Sequence, residues 1–225
     1  MSVRRLGPVF LLVLLAACSG TRSDGPRNII MLCAGDSITE WGYPRFLRDS
    51  LRSEGVKARV LNYGRSGNTS AEYLNFLKGN IDTLRGERPD IVLVELGTND
   101  VRVDGDRISL EEFEKNIREI VGIFRDFKTR SGDRPAIFLA AIPPVPDGIP
   151  FPFGPESGQR VTAEINPAVK AVCREMQAVF VDNYSLFAGS PCLLPGVHPG
   201  PEGYRAMARN WHEAMKPQIA RLVRR

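Results

Sequence analysis

A three-layer α/β domain built on a parallel sheet of about five strands is the fold class that the sequence predicts, on three observations. Five short apolar runs lack the strict alternation of a half-exposed strand, as strands covered on both faces do. Longer segments with helical spacing of apolar residues separate them. Finally, three polar, glycine-containing clusters begin where an apolar run stops, and in open parallel sheets chemistry gathers at the carboxyl ends of the strands.

Before the first run, residues 1–17 read as an export signal: Arg4 and Arg5, then an apolar stretch from Val9 to Ala17, too short to span a bilayer as a stable helix. The end of that stretch, Leu15, Ala16, Ala17 and Cys18, resembles a bacterial lipobox, which implies acylation of Cys18 and a chain that is anchored rather than spanning. Ser19 after the cysteine resembles the sorting pattern of bacteria with two membranes, and that resemblance implies the outer membrane, facing the periplasm. Residues 18–27, polar and breaker-rich, read as a tether, and residues 28–225 as one domain with a single sizeable core.

The first run, Ile29 to Ala34, leads into Gly35, Asp36, Ser37, Ile38 and Thr39. A serine at that edge presents its hydroxyl and its own N–H to a pocket. The second run, Ala58 to Leu61, leads into Asn62 to Thr69, whose glycines let backbone approach a ligand and aim an N–H at developing negative charge. The third, Ile91 to Leu96, leads into Gly97, Thr98, Asn99 and Asp100, where the asparagine supplies a neutral NH₂ donor. Leu110, Phe113, Ile117, Ile120, Val121 and Phe124 then recur at helical spacing behind Ser109 and Glu112, a capping-box pair. After the fourth run, Ala136 to Ala141, comes a Pro-, Gly- and Phe-rich loop from Ile142 to Gln159, long enough to serve the pocket. The fifth run, Val179 to Val181, ends at Asp182. Tyr204, Met207, Trp211, Met215 and Ile219 mark a closing helix that contains Pro217.

Composition narrows the chemistry. Without Arg4 and Arg5, 28 basic residues face 26 acidic ones, and no basic stripe with interleaved aromatics accompanies them, so a nucleic-acid partner is not expected. There is no CxxC, no HExxH, and no dinucleotide or Walker loop, so neither metal nor cofactor is expected. Cys33, inside an apolar run, reads as a small buried hydrophobe. Cys173 and Cys192 are a candidate disulfide in an exported protein.

Only two histidines exist, His198 and His212. His212, mid-helix beside Trp211, reads as structural, which leaves His198 as the base that a serine nucleophile needs. Ser37 and its neighbours, the Gly67 cluster, the Asn99 cluster and the stretch Gly196 to Tyr204, in that order, resemble the four sequence blocks of the SGNH (GDSL) hydrolase family. The resemblance runs from about Asn28 to Ala220. It implies a flavodoxin-like sheet, Ser37 as nucleophile, His198 as general base, and an oxyanion hole from the N–H groups of Ser37 and Gly67 and the side chain of Asn99. Asp36, Trp41 and Arg65, beside these motifs, are candidate substrate-binding residues.

The resemblance breaks at one place. The family usually sets an aspartate three residues before the histidine, and here that residue is Pro195. Three answers are open: a backbone carbonyl between Cys192 and Gly196 orients the imidazole, Asp182 substitutes, or catalysis is lost and the pocket kept. The resemblance implies hydrolysis of small acyl esters. The Pro-rich opening of the 142–159 loop is similar to members that deacetylate sugars, including sialate O-acetylesterase-like proteins, so an acetylated carbohydrate is the expected substrate. A glycan-binding pseudoenzyme and a lysophospholipase or acyltransferase are the alternatives.

Overall fold

The computed structural model describes residues 28–224. The expected signal segment, Cys18 and the tether lie outside the described residues. In chain order the elements are β1 (Ile29–Gly35), α1 (Ser37–Trp41), α2 (Tyr43–Ser53), β2 (Ala58–Gly64), α3 (Ser70–Gly79), α4 (Ile81–Gly86) and β3 (Ile91–Glu95). There follow α5 (Leu110–Arg125), β4 (Ala136–Ala141), α6 (Pro155–Arg160), α7 (Asn166–Glu175), β5 (Val179–Asp182), α8 (Tyr184–Ala188) and α9 (Pro201–Val223). A π-helical turn, Val161–Ile165, joins α6 to α7, and 3-10 turns stand at Asn99–Val101 and Pro191–Leu193.

All five strands pair in parallel in the order β2-β1-β3-β4-β5. The apolar runs of β1, β3 and β4 are continuous because both faces of the sheet are covered there, whereas the edge strands β2 and β5 carry exposed residues. Along β1, Met31 and Cys33 point to one core with Leu93 of β3, while Leu32 and Ala34 point to the other with Val92 and Val94. Buried side chains of α3, α5 and α7 fill the second core, those of α2 and α9 the first. Trp211 of α9 is fully buried there and stacks on Tyr43 at 5.6 Å between ring centroids. Truncating it to alanine would cost about 3–5 kcal/mol, a large share of a domain's stability.

Helix ends follow local chemistry. Ser109 Oγ accepts the Glu112 N–H at 3.2 Å and starts α5 as expected. A complete capping box also starts α3, where the Thr69 hydroxyl accepts from the Glu72 N–H and the Glu72 carboxylate accepts from the Thr69 N–H at 2.8 Å. α9 runs unbroken through Pro217.

The expected pairing of Cys173 with Cys192 is not formed; both are free thiols. Cys173 is buried on α7, its thiol directed at the Leu139 carbonyl of β4 in the core shared with α5. Cys192 is exposed in the 3-10 turn, next to Leu193, which packs against the core on the opposite face. The sheet stands between them. Cys33 is fully buried as expected, and burial pushes its thiol up to about 12.

Candidate active site

In a sheet of order 2-1-3-4-5 the chain leaves β1 in one direction and β3 in the other, and the loops after these two strands part to leave a crevice. Ser37 follows β1 and Asn99 follows β3. The Gly67 turn follows β2, and His198 lies between β5 and α9. One open cleft of about 470 Å³ is lined by Ser37, Ser66, Gly67, Asn99 and His198 together with residues 149–153 and 195–197.

Ser37 is the first residue of α1. Asp36 caps that helix, its Oδ1 accepting the Ile38 N–H at 2.9 Å. Ser37 Oγ and His198 Nε2 stand 2.8 Å apart, across 161 residues of sequence. The imidazole can therefore accept the serine proton when its own proton sits on Nδ1.

The Gly67 turn is set by a glycine requirement. Arg65 to Asn68 form a four-residue turn closed by the Asn68 N–H to the Arg65 carbonyl at 3.2 Å, with Gly67 third in the turn at φ +79°. A type II turn needs that left-handed value at this position, and the Gly67 N–H takes no part in the closing bond. Gly64, just before, permits close approach: a Cβ there would meet the Glu40 backbone nitrogen at 2.3 Å. The Ser66 N–H donates to the Glu40 carboxylate at 2.9 Å, so the turn is tied to the helix of Ser37. Asn99 Nδ2 donates one hydrogen to the Asn68 carbonyl at 3.0 Å, which fixes the amide plane and leaves the second hydrogen to donate.

A second tie joins the Gly67 and Asn99 segments. The buried Asp100 carboxylate accepts the Ser70 N–H at 3.0 and 3.1 Å and the Ser70 hydroxyl at 2.5 Å, and Asn116 Nδ2 donates to that hydroxyl at 3.1 Å. Ser70 opens α3, where exposed helix N–H groups favour a negative partner. From the other side, Arg160 donates to the backbone carbonyls of Asp100 and Ile108 at 2.7 and 2.6 Å. Burial raises the Asp100 carboxyl to about 6 in spite of these donors. Sequence reading missed both Asp100 and Arg160, because their partners lie 30 and 60 residues away.

Two expected substrate contacts are not in the cleft. Asp36 is fully buried; burial first, and then the charge of Asp100, raise it to about 7. Fully buried Glu95, beside it in charge, is likewise raised well above the carboxylate range by burial. Asp36 is thus a helix cap that cannot touch substrate. Arg65 lies over the Phe76 ring at 4.2 Å and does not line the cleft. Trp41 does stand at the site, its ring 4.9 Å from that of His198.

None of the expected devices orients His198. Asp182 is spent on α8, accepting the Ser185 N–H at 3.0 Å and hydroxyl at 2.7 Å. The Leu193 carbonyl, in the loop expected to help, accepts the Gly200 N–H at 2.9 Å. Among the described residues the imidazole makes one hydrogen bond, that to Ser37. Packing on Trp41 and the pinned 193–200 turn set its place. Partial burial, with no carboxylate to offset it, lowers the His198 pKa. His212 is buried against Ser50, its Nδ1 3.1 Å from the hydroxyl, and is structural as expected.

Residues 33–206 match the model of the GDSL-like lipase/acylhydrolase family. Among curated proteins the chain is 26% identical to a multidomain esterase of Ruminococcus flavefaciens, over 86% of this chain and 29% of that protein. It is 27% identical to an acetylxylan esterase of Xylanibacter ruminicola, over 84% of this chain and 43% of that protein. The chain thus spans less than half the length of these curated relatives. Among solved structures, an acetylxylan esterase from Geobacillus stearothermophilus superposes with a TM-score of 0.66 at 22% identity, covering 83% of this chain and 94% of that one. Catalytic mutants of that enzyme at a serine, an aspartate and a histidine have also been solved. A GDSL-like lipase from Bacteroides thetaiotaomicron superposes with a TM-score of 0.66 at 23% identity, covering 84% and 88%.

Two predictions follow from the geometry. A lowered His198 pKa keeps the neutral, proton-accepting form down to more acid pH, so the acid limb of kcat/KM for ester hydrolysis will have its midpoint below the ordinary imidazole value of about 6.5. A midpoint at or above about 7 would mean that a carboxylate supports the ring after all. Replacing Asp100 by alanine frees Gly67 and Asn99 to drift apart. It should lower kcat about tenfold to a hundredfold with a much smaller change in KM, since small misplacements weaken a transition-state contact more than ground-state binding. An unchanged kcat would show that the tie is dispensable. With its family match covering most of the described fold and its serine and histidine meeting at the switch-point cleft, the chain belongs to the GDSL-like lipase/acylhydrolase family.

Proposed function

We propose that this protein is a serine esterase that removes small acyl groups, acetyl in the first place, from carbohydrate. The observation that carries the reading is the 2.8 Å contact of Ser37 Oγ with His198 Nε2, in a cleft also lined by Gly67 and Asn99. A curated relative named as a multidomain esterase supports the reaction type, and one named as an acetylxylan esterase supports the substrate class.

In the proposed mechanism Ser37 Oγ attacks the ester carbonyl carbon while His198 Nε2 takes its proton. The carbonyl oxygen becomes an oxyanion held by the N–H groups of Ser37 and Gly67 and by the free N–H of Asn99. The C–O bond to the sugar then breaks, and His198 returns the proton to the leaving oxygen. A water, deprotonated by His198, attacks the acyl-serine; the bond from the acyl carbon to Ser37 Oγ breaks, Oγ takes the proton back from His198, and the acid leaves.

Pro195 leaves this machinery as a dyad. Losing the aspartate of a serine protease triad costs about 10⁴-fold in kcat, largely through the wrong tautomer, yet the oxyanion hole and binding still leave activity far above water. Here Nδ1 has no competing partner among the described residues, so nothing holds the ring in the unproductive tautomer. A slow but real enzyme is the consequence.

We also propose that the chain is lipid-anchored in a bacterial envelope, at the outer membrane facing the periplasm. The sequence Leu15, Ala16, Ala17, Cys18 supports this, as does the polar stretch after it. Among the described residues no helix is long and apolar enough to cross a membrane.

The test is hydrolysis of p-nitrophenyl esters of increasing acyl length by the full chain and its Ser37→Ala variant. Turnover of acetate should exceed that of long acyl chains and fall at least a thousandfold in the variant. Equal rates in the two proteins would favour a glycan-binding role without catalysis, and a preference for long chains would favour a lysophospholipase.

A further inference from the structure

Among the described residues only two aromatic side chains stand mostly in solvent: one lines the cleft, and the other packs on His198, which lines it. Trp41, which ends α1, is 56% exposed, and Phe151, in the loop between β4 and α6, is 75% exposed. All other described aromatics are buried or partly covered. A large apolar face left in water is unfavourable, and an exposed one beside polar groups marks a place where something binds.

Phe151 is not exposed because its loop is loose. Ile149 and Phe153 on either side pack against the core, and the Pro152 carbonyl accepts the Val103 N–H at 2.9 Å. The Phe153 N–H closes a turn on the Pro150 carbonyl at 3.3 Å. Three anchors around one outward ring hold that ring over the cleft.

Position and charge indicate the occupant. His198 hands its proton to the leaving alcohol, so the alcohol part of the ester lies on the side of His198, which is the side of Trp41. A pyranose ring presents an apolar C–H face that stacks on an aromatic ring while its hydroxyls stay hydrated. No lysine or arginine lines the cleft. Arg65 lies over Phe76, and Arg102 is paired with Asp104 and Asp106. An anionic sugar would find no counter-charge here.

We propose that Trp41 and Phe151 together seat the ring of a neutral acetylated sugar, with Phe151 as the specificity-determining residue, and that sialates and other anionic sugars are poor substrates. This rests on the esterase reading above. It sets aside the likeness to sialate O-acetylesterases as a guide to substrate.

The experiment compares the full chain with Phe151→Ala and Phe151→Tyr on three probes: ethyl acetate, which has no ring, acetylated xylotriose, which is neutral, and O-acetylated sialic acid. The ratio of kcat/KM for acetylated xylotriose to that for ethyl acetate should fall about tenfold in Phe151→Ala, through KM, and recover in Phe151→Tyr. The unaltered chain should prefer the neutral sugar to the anionic one. A ratio that does not move in Phe151→Ala, or a preference for the sialate, would overturn the proposal while leaving the esterase reading intact. No turnover of any probe, ethyl acetate included, would overturn both.

Discussion

Parallel strands carry all their carboxyl ends to one edge of a sheet, and this constraint decides where the chemistry of the chain can stand. With the order β2-β1-β3-β4-β5, the loops after β1 and β3 must part, and the crevice between them is open before any functional residue is considered. The covering of the central strands on both faces makes the constraint rigid. Trp211 and Tyr43 hold α9 and α2 to one face, while Phe113, Ile117 and Phe124 hold α5 to the other. What remains for the loops is orientation.

That orientation is supplied by two polar ties, one exposed and one buried. Glu40 binds the Gly67 turn to the helix of Ser37, and Asp100 binds the start of α3 to the segment carrying Asn99. Each is a carboxylate accepting from backbone N–H groups, the stronger class of hydrogen bond. Asp100 does so while fully buried, and breaking such a network costs more than an exposed pair returns. In the proposed mechanism the donors of Gly67 and Asn99 are thereby fixed before substrate arrives, which is the condition for electrostatic stabilisation to lower a barrier. His198 stands apart from this scheme, for it rests on Trp41 and a pinned turn instead of a carboxylate.

Much of this was legible in the sequence because it is periodic or local. Doubly covered strands read as unbroken apolar runs, and β1, β3 and β4 lie where those runs stand. Ser109 caps α5 as its spacing to Glu112 implies. Thr69 and Glu72 carry the same pattern, hidden inside a cluster read only for its glycines. What could not be read depends on tertiary partners. Nothing near Asp100 in sequence announces Ser70, and nothing near Asp36 says that its carboxyl turns into the interior and away from substrate. The disulfide failed for a related reason: spacing permits it, but Cys173 and Cys192 belong to opposite faces of the sheet. Phe151 lay in a loop singled out for its length, but its exposure emerges only once Ile149 and Phe153 are seen to be anchored.

The central claim is that Ser37 is an activated nucleophile although Pro195 stands where a carboxylate would. Incubating the full chain with a fluorophosphonate and mapping the adduct by mass spectrometry tests this without a choice of substrate, since the reagent reports the serine alone. The account predicts one adduct, on Ser37, formed at a rate that falls at least a hundredfold when His198 is replaced by alanine. No adduct on Ser37, or labelling at a rate indifferent to His198, would contradict it.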